Sequence, residues 1–181
     1  MLKNLFFGIS FLLAATSLQA QVYGTRNGVI HFVSKTPLEN IEATNSQVNA
    51  VMDFNEKKIA FSLLMKGFLF ERDLQQQHFN ENYAESDKFP KSNFNGSIIG
   101  DVDVKKDGTY NVKVKGMLTI HGVSQLIETP ATIQVNGNKV IGKCTFNVKP
   151  EDYKISIPSV VRDKIAKEVQ IQVQIDANFI K

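Results

Sequence analysis

The sequence predicts an all-β fold, a single antiparallel barrel of about eight strands with one or two short helices. Three observations lead there. Apolar residues recur with period two, glycine-bearing pairs punctuate the runs at hairpin spacing, and only two short segments read as helix. Closure is favoured because a ring of strands leaves no exposed sheet edge.

The first 20 residues stand apart from this pattern and read as an export signal. Lys3 precedes an apolar run over residues 5–15, and Ser17-Leu18-Gln19-Ala20 before Gln21 resembles a signal-peptidase site. The run is short for a membrane span, so a cleaved signal is expected, the alternative being an uncleaved N-terminal anchor. No cysteine follows it, which argues against a lipid anchor and for a soluble exported protein, periplasmic or secreted. Residues 21–181 then form one domain with no linker or repeat, long enough to bury a sizeable core.

The elements follow in order. Residues 29–34 and 48–52 read as strands, with a polar turn at 53–57. Residues 58–70 read as one long third strand, apolar on both faces and therefore expected to be covered on both sides. Asp73 is positioned to cap a helix in which Gln76 reaches back, and Phe89-Pro90 is expected to end it. A four-stranded meander starts near Ser97, with turns at Asp107-Gly108, His121-Gly122 and Asn136-Gly137. Its strand at 110–120 puts Tyr110, Val112, Val114, Gly116, Leu118 and Ile120 on one face, with Asn111, Lys113, Lys115 and Thr119 on the other. Residues 125–135 and 139–148 complete the meander. A second helix is expected over residues 159–167, after Pro158. The last strand alternates Val169, Ile171, Val173, Ile175, Ala177 and Phe179 with Gln170, Gln172, Gln174, Asp176 and Asn178. Gly116 and Gly142 fall on inward faces and are expected to leave room there.

Little in the chain reads as catalytic. The formal charge of +3 falls to +2 without Lys3, which argues against nucleic acid as a partner. The three histidines, His31, His78 and His121, fall on a strand, a helix and a turn, so no zinc site is expected. His121 precedes glycine between two strands, and histidine is enriched in the left-handed region that such a turn needs. Asp101 and Asp103 share one strand face beside Lys105 and Lys106, which reads as a solvated surface. The single Cys144 lies on an inward face as a small buried hydrophobe, and no phosphate-binding glycine loop is present.

The stretch "VKGMLTIHGV" at residues 114–123 resembles the hallmark of the YceI-like family. Val29-Ile30-His31-Phe32, "ENYAESDKFPKSNF" at residues 81–94 and Asp152-Tyr153-Lys154-Ile155 fall in the family's order, so the resemblance covers nearly all of residues 21–181. It implies a lipocalin-like exported barrel enclosing an elongated apolar tunnel for a polyisoprenoid chain, with no catalysis. In the family the "LTIHGV" stretch marks the fold and is not a catalytic motif.

On that reading the protein carries or sequesters an isoprenoid-like or other long-chain amphiphile. Phe32, Phe61, Leu63, Val112, Val114, Leu118, Ile133, Phe146, Ile171 and Val173 are the expected wall residues. No cofactor is required. The bound molecule would be an isoprenoid quinone, a polyprenyl phosphate or a fatty-acid-like lipid, whose head group would meet Lys154, Arg162, Lys164 or Lys167 at a barrel mouth. No transmembrane span is expected in residues 21–181, and a homodimer is compatible with the chain. The rival reading is a barrel filled by its own side chains, among them the ten phenylalanines after residue 20. Such a protein would act through its outer surface in interaction or stress response.

Overall fold

The computed structural model describes residues 21–180, so the export signal read at residues 1–20 lies outside them. Among the described residues the strands are β1 (Val22–Lys35), β2 (Asn40–Asp53), β3 (Lys58–Leu64), β4 (Leu69–Phe70), β5 (Lys91–Ile99), β6 (Gly108–Ile120), β7 (Val123–Asn136), β8 (Lys139–Val148) and β9 (Val169–Phe179). They run antiparallel in the order β1-β9-β8-β7-β6-β5-β3-β2, and β2 pairs again with β1, which closes a ring of eight. The two-residue β4 pairs with β2 at Ala43 and Thr44, beyond the end of β3. One short α-helix, α1 (Asp73–His78), continues as a π turn through Tyr83.

The long third strand of the sequence reading is two pieces, and the break explains its two apolar faces. Ile59, Phe61, Leu63 and Met65 alternate inward, and then the 3-10 turn Met65–Gly67 shifts the phase so that Phe68 and Phe70 also turn inward. Fully buried Asn45 stabilises the break. Its Nδ2 donates to the Leu64 carbonyl at 2.9 Å and its Oδ1 accepts from the Gln47 amide at 2.8 Å, satisfying backbone groups that the interrupted ladder leaves free. The outer face is not covered: Leu64 and Leu69 are exposed.

Other local readings are corrected too. Asp73 is the first helical residue and caps nothing, whereas Gln76 does reach back, accepting from the Phe70 amide at 3.4 Å. The helical segment ends at Tyr83, before a left-handed Glu85 (φ 43°), rather than at Phe89-Pro90. The expected second helix is a 3-10 segment, Ser159–Lys164. Asp101 and Asp103 sit in the 100–107 connection, not on a strand, where Asp101 pairs with Lys57 at 2.7 Å. Gly108 opens β6 with no positive φ, and the β7–β8 turn is Gly137-Asn138. His121-Gly122 is the expected two-residue hairpin, with φ of 51° and 72°.

The two ends of the barrel differ. At the end holding the 54–57, 100–107 and 137–138 connections, Met52, Val48, Ile133, Val140 and Ile175 are almost completely buried and form a solid floor. Burying each such aliphatic side chain contributes roughly 1.5–3 kcal/mol. Tyr23 closes the edge of that floor, edge-on to Phe54 and Phe179 with both centroid distances 5.6 Å. The room expected at two glycines is taken: Gly142 lies beneath Ile133 and Met52, and the Phe94 ring lies over the facing pair Gly96 and Gly116.

At the other end His121 locks the connections together. It is buried, with its Nδ1 at 3.1 Å from the Tyr153 carbonyl and its Nε2 at 2.6 Å from the Glu85 carboxylate. Both partners are acceptors, and either ring nitrogen can carry the N–H that serves one of them. The Phe89 ring packs against the imidazole at 4.3 Å between centroids. The β6–β7 hairpin is thereby fastened to the connection that follows the π turn, at Glu85, and to the 149–168 connection, at Tyr153.

Two substitutions test this packing in chemical denaturation. His121→Gly keeps the left-handed turn but removes both hydrogen bonds, and is expected to cost about 2 kcal/mol, a figure reduced for the partial exposure of Glu85. A loss no larger than a few tenths would reduce His121 to a turn residue. Gly96→Ala drives a methyl into the Lys115 carbonyl and the Phe94 ring, with an expected cost of about 3 kcal/mol.

Candidate functional site

Between the floor and the lid lies an apolar cavity of about 470 Å³, within the range of small-molecule sites. Its position follows from strand polarity. The wall is made by the C-terminal halves of β1, β3, β6 and β8 and the N-terminal halves of β2, β5, β7 and β9, which meet at the end opposite the floor. The lid comes from α1 with its π turn and from the 149–168 connection, which contributes Tyr153, Ile155, Ile157, Val161 and Ile165.

Phenylalanine dominates the wall. Seven of the ten phenylalanines after residue 20 line the cavity: Phe32, Phe61, Phe68, Phe70, Phe79, Phe94 and Phe146. Four of them form one cluster beneath the helix, with Phe32 at 5.4 Å from Phe68, 5.5 Å from Phe70 and 5.6 Å from Phe79. The rings bound a void where the rival reading would have them fill it.

Few polar atoms reach this wall, and the buried ones already have partners. Ser92 Oγ donates to the Thr119 carbonyl at 2.8 Å, Thr129 Oγ1 to the Thr145 carbonyl at 3.3 Å, and Ser34 Oγ accepts from the Ala166 amide at 2.9 Å. Among the described residues no buried side-chain polar atom lacks a partner. Burial pushes the Cys144 thiol up to about 11, and burial together with the Asp152 charge pushes the Tyr153 phenol up to about 12. Among the described residues no group of three or more histidine, cysteine or carboxylate side chains could hold a metal ion.

The polar groups gather at the mouth. Glu39, Arg72, Gln75, His78 and Lys164 line it, with Arg72 Nη1 at 3.6 Å and Gln75 Nε2 at 3.1 Å from the same Glu39 oxygen. His31 is remote from this chemistry, bonded to Thr44 at 2.9 Å and facing Glu42 at 3.4 Å.

Eight of the ten residues expected in the wall are found there: Phe32, Phe61, Leu63, Val114, Leu118, Phe146, Ile171 and Val173. Val112 and Ile133 are not. They face inward but belong to the buried core outside the cavity, nearer the floor, because alternation fixes the face of a strand residue and not its depth. Of the four expected head-group cations only Lys164 lines the mouth. Lys154 terminates the 3-10 turn Pro150–Tyr153 with φ 58°. Arg72, Leu74 and the lid isoleucines were not expected in the wall, since lid residues follow no strand period, although Leu74 falls in the expected helix and Ile155 in a stretch that carries the family resemblance.

The family model described as YceI-like domain matches residues 19–177. No curated protein matches the chain by sequence. Among solved structures, the chain is similar to a polyisoprenoid binding domain from Saccharophagus degradans implicated in plant cell wall breakdown. That match has 12% identity and a TM-score of 0.76, covering 90% of this chain and 100% of that one. BcnA of Burkholderia cenocepacia shares 17% identity over 83% of this chain and 95% of its own, with a TM-score of 0.70. A YCEI protein of Campylobacter jejuni shares 18% identity over 99% of this chain and 94% of its own, with a TM-score of 0.61. At such identities the structures share the fold, and the family assignment rests on the model that spans the closed barrel: the chain belongs to the family of YceI-like domains.

Proposed function

We propose that the protein binds the tail of an isoprenoid-like or other long-chain amphiphile in the barrel cavity and carries or sequesters it, without catalysis. The observation that carries this reading is the apolar cavity of about 470 Å³, walled by phenylalanine and closed at one end. Burying a five-carbon isoprenoid unit is worth about 4 kcal/mol before association costs, so a tail of a few units needs no polar contact in the wall. The polyisoprenoid-binding description of the Saccharophagus degradans relative supports the same class of ligand. We further propose that the protein acts after export, in the periplasm or outside the cell, on the strength of the signal-like residues 1–20.

Native mass spectrometry of the exported protein, with analysis of an organic extract, tests the reading directly. A stoichiometric lipid adduct is expected, and the same spectrum distinguishes a monomer from a homodimer. Ile171→Trp, which fills the cavity from β9 without touching the mouth, is expected to leave the protein folded and to lower adduct occupancy at least tenfold. A bare mass for the parent protein, with no uptake of added isoprenoid quinone, would restore the surface-acting reading.

Cys144 is a built-in reporter. With its thiol at about 11, roughly one molecule in a thousand carries the reactive thiolate at pH 8. A water-soluble maleimide is therefore expected to label the native protein at least a hundredfold more slowly than the denatured protein. Added lipid should slow it further, and labelling indifferent to lipid would place the ligand elsewhere.

A further inference from the structure

The cavity mouth is framed by three segments, two of which are joined to the β1–β2 strand pair. The β1–β2 hairpin, residues 36–39, meets α1 through the contacts of Glu39 with Arg72 and Gln75. At the end of β1, Ser34 accepts the Ala166 amide, which brings the 159–167 segment beside the same hairpin. Each segment holds an aliphatic side chain out in water: Leu38 at 69% exposure, Leu74 at 61% and Val160 at 86%. Leu38 and Val160 make no part of the cavity wall, and packing within the barrel does not explain their exposure.

We propose that this rim is a docking face for an anionic lipid bilayer, from which the cavity draws or to which it returns its amphiphile. The inference rests on the cavity reading: a long apolar tail is insoluble, so transfer is direct only if the mouth lies against the membrane. Leu38, Leu74 and Val160 surround that mouth and reach the acyl boundary first. Residues 159–168 add Arg162, Lys164 and Lys167 against Asp163 and Glu168, and Glu168 already faces Lys149 at 3.8 Å, which leaves a local cationic excess that complements anionic head groups. Elsewhere on the rim Lys35 and Arg72 stand against Glu39, Glu71 and Asp73, so the attraction is local to one segment. On β9 the outward positions are Gln170, Gln172, Gln174 and Asp176, so that side of the barrel wall stays in water, whereas Leu64, Leu69, Met117 and Leu126 are exposed elsewhere on the barrel.

The test uses residues 21–181, which contain every strand of the closed barrel, with sedimentable vesicles of phosphatidylcholine alone or with phosphatidylglycerol. Uptake of a water-soluble fluorescent fatty acid is measured in parallel as a readout of the cavity. Co-sedimentation at least tenfold stronger with phosphatidylglycerol is expected. L38D/V160D should lose it tenfold or more while taking up the fatty acid normally, and I99D, at the floor end, should keep both. Uptake without sedimentation of the parent, or equal loss in I99D, overturns the docking face and leaves the cavity reading intact. Sedimentation that needs Leu38 and Val160 but comes without uptake supports the docking face and overturns the cavity reading. Self-association removed by L38D/V160D, without vesicle binding, would give the rim to a second copy of the chain and overturn the proposal.

Discussion

Everything in this molecule depends on β1 pairing on both sides. Eight strands enclose an interior only if the first strand meets both β2 and β9, and β1 does so through register shifts around Thr25–Ile30 on one side and between Gly24 and Val29 on the other. Bulges of this kind let a strand bend enough to complete a ring. Gly28 sits at the bend, where a side chain would run into Ile175 and Val48. Closure then fixes the interior volume, and the sequence divides it. Large aliphatic groups fill the floor, while phenylalanines line the wall around the cavity in the upper half. A cavity inside so small a barrel persists because backbone pairing around the ring, rather than filling of the centre, holds the upper strands in place.

The lid is held by hydrogen bonds where the floor is held by packing. Glu85, His121 and Tyr153 come from three separate stretches that carry the resemblance to YceI-like proteins, and they meet at one imidazole. Gln125 adds a bond to the Asp152 carbonyl at 2.8 Å beside it. His121 is thus more than a turn residue: its backbone makes the hairpin and its side chain fastens that hairpin to the connections at Glu85 and Tyr153. A histidine fits here because its two ring nitrogens can face acceptors on opposite sides, which no other small left-handed residue can do.

The barrel was legible in the sequence because the burial of one strand face leaves a period-two record, plain in β6 and β9. What lay outside that record was not. Met65–Gly67 changes the phase of the alternation, so residues 58–70 read as one strand buried on both faces when they are two pieces with one inward face between them. Val112 and Ile133 were read onto the correct face but into the wrong storey, since period carries no information about height along the barrel axis. The mouth was least legible. Arg72, Leu74 and the isoleucines of the 149–168 connection are placed by tertiary contacts such as the Ser34–Ala166 bond, which links residues 132 apart.

The polar groups of the cavity also fix how an amphiphile would lie in it. Ser34, Ser92 and Thr129, the buried hydroxyls of the wall, are already bonded to backbone groups, so a head group driven inward would lose its water and find few replacements. Glu39, Arg72, Gln75, His78 and Lys164 at the mouth offer partners with access to solvent. In the proposed complex the tail would therefore enter first and the head remain outside, and the floor of Met52, Val48, Ile133, Val140 and Ile175 would set how much tail could follow. Selectivity in such a site resides in length and bulk rather than in hydrogen bonds. That is why the floor residues, which touch no polar group, bear on ligand choice as directly as the mouth does.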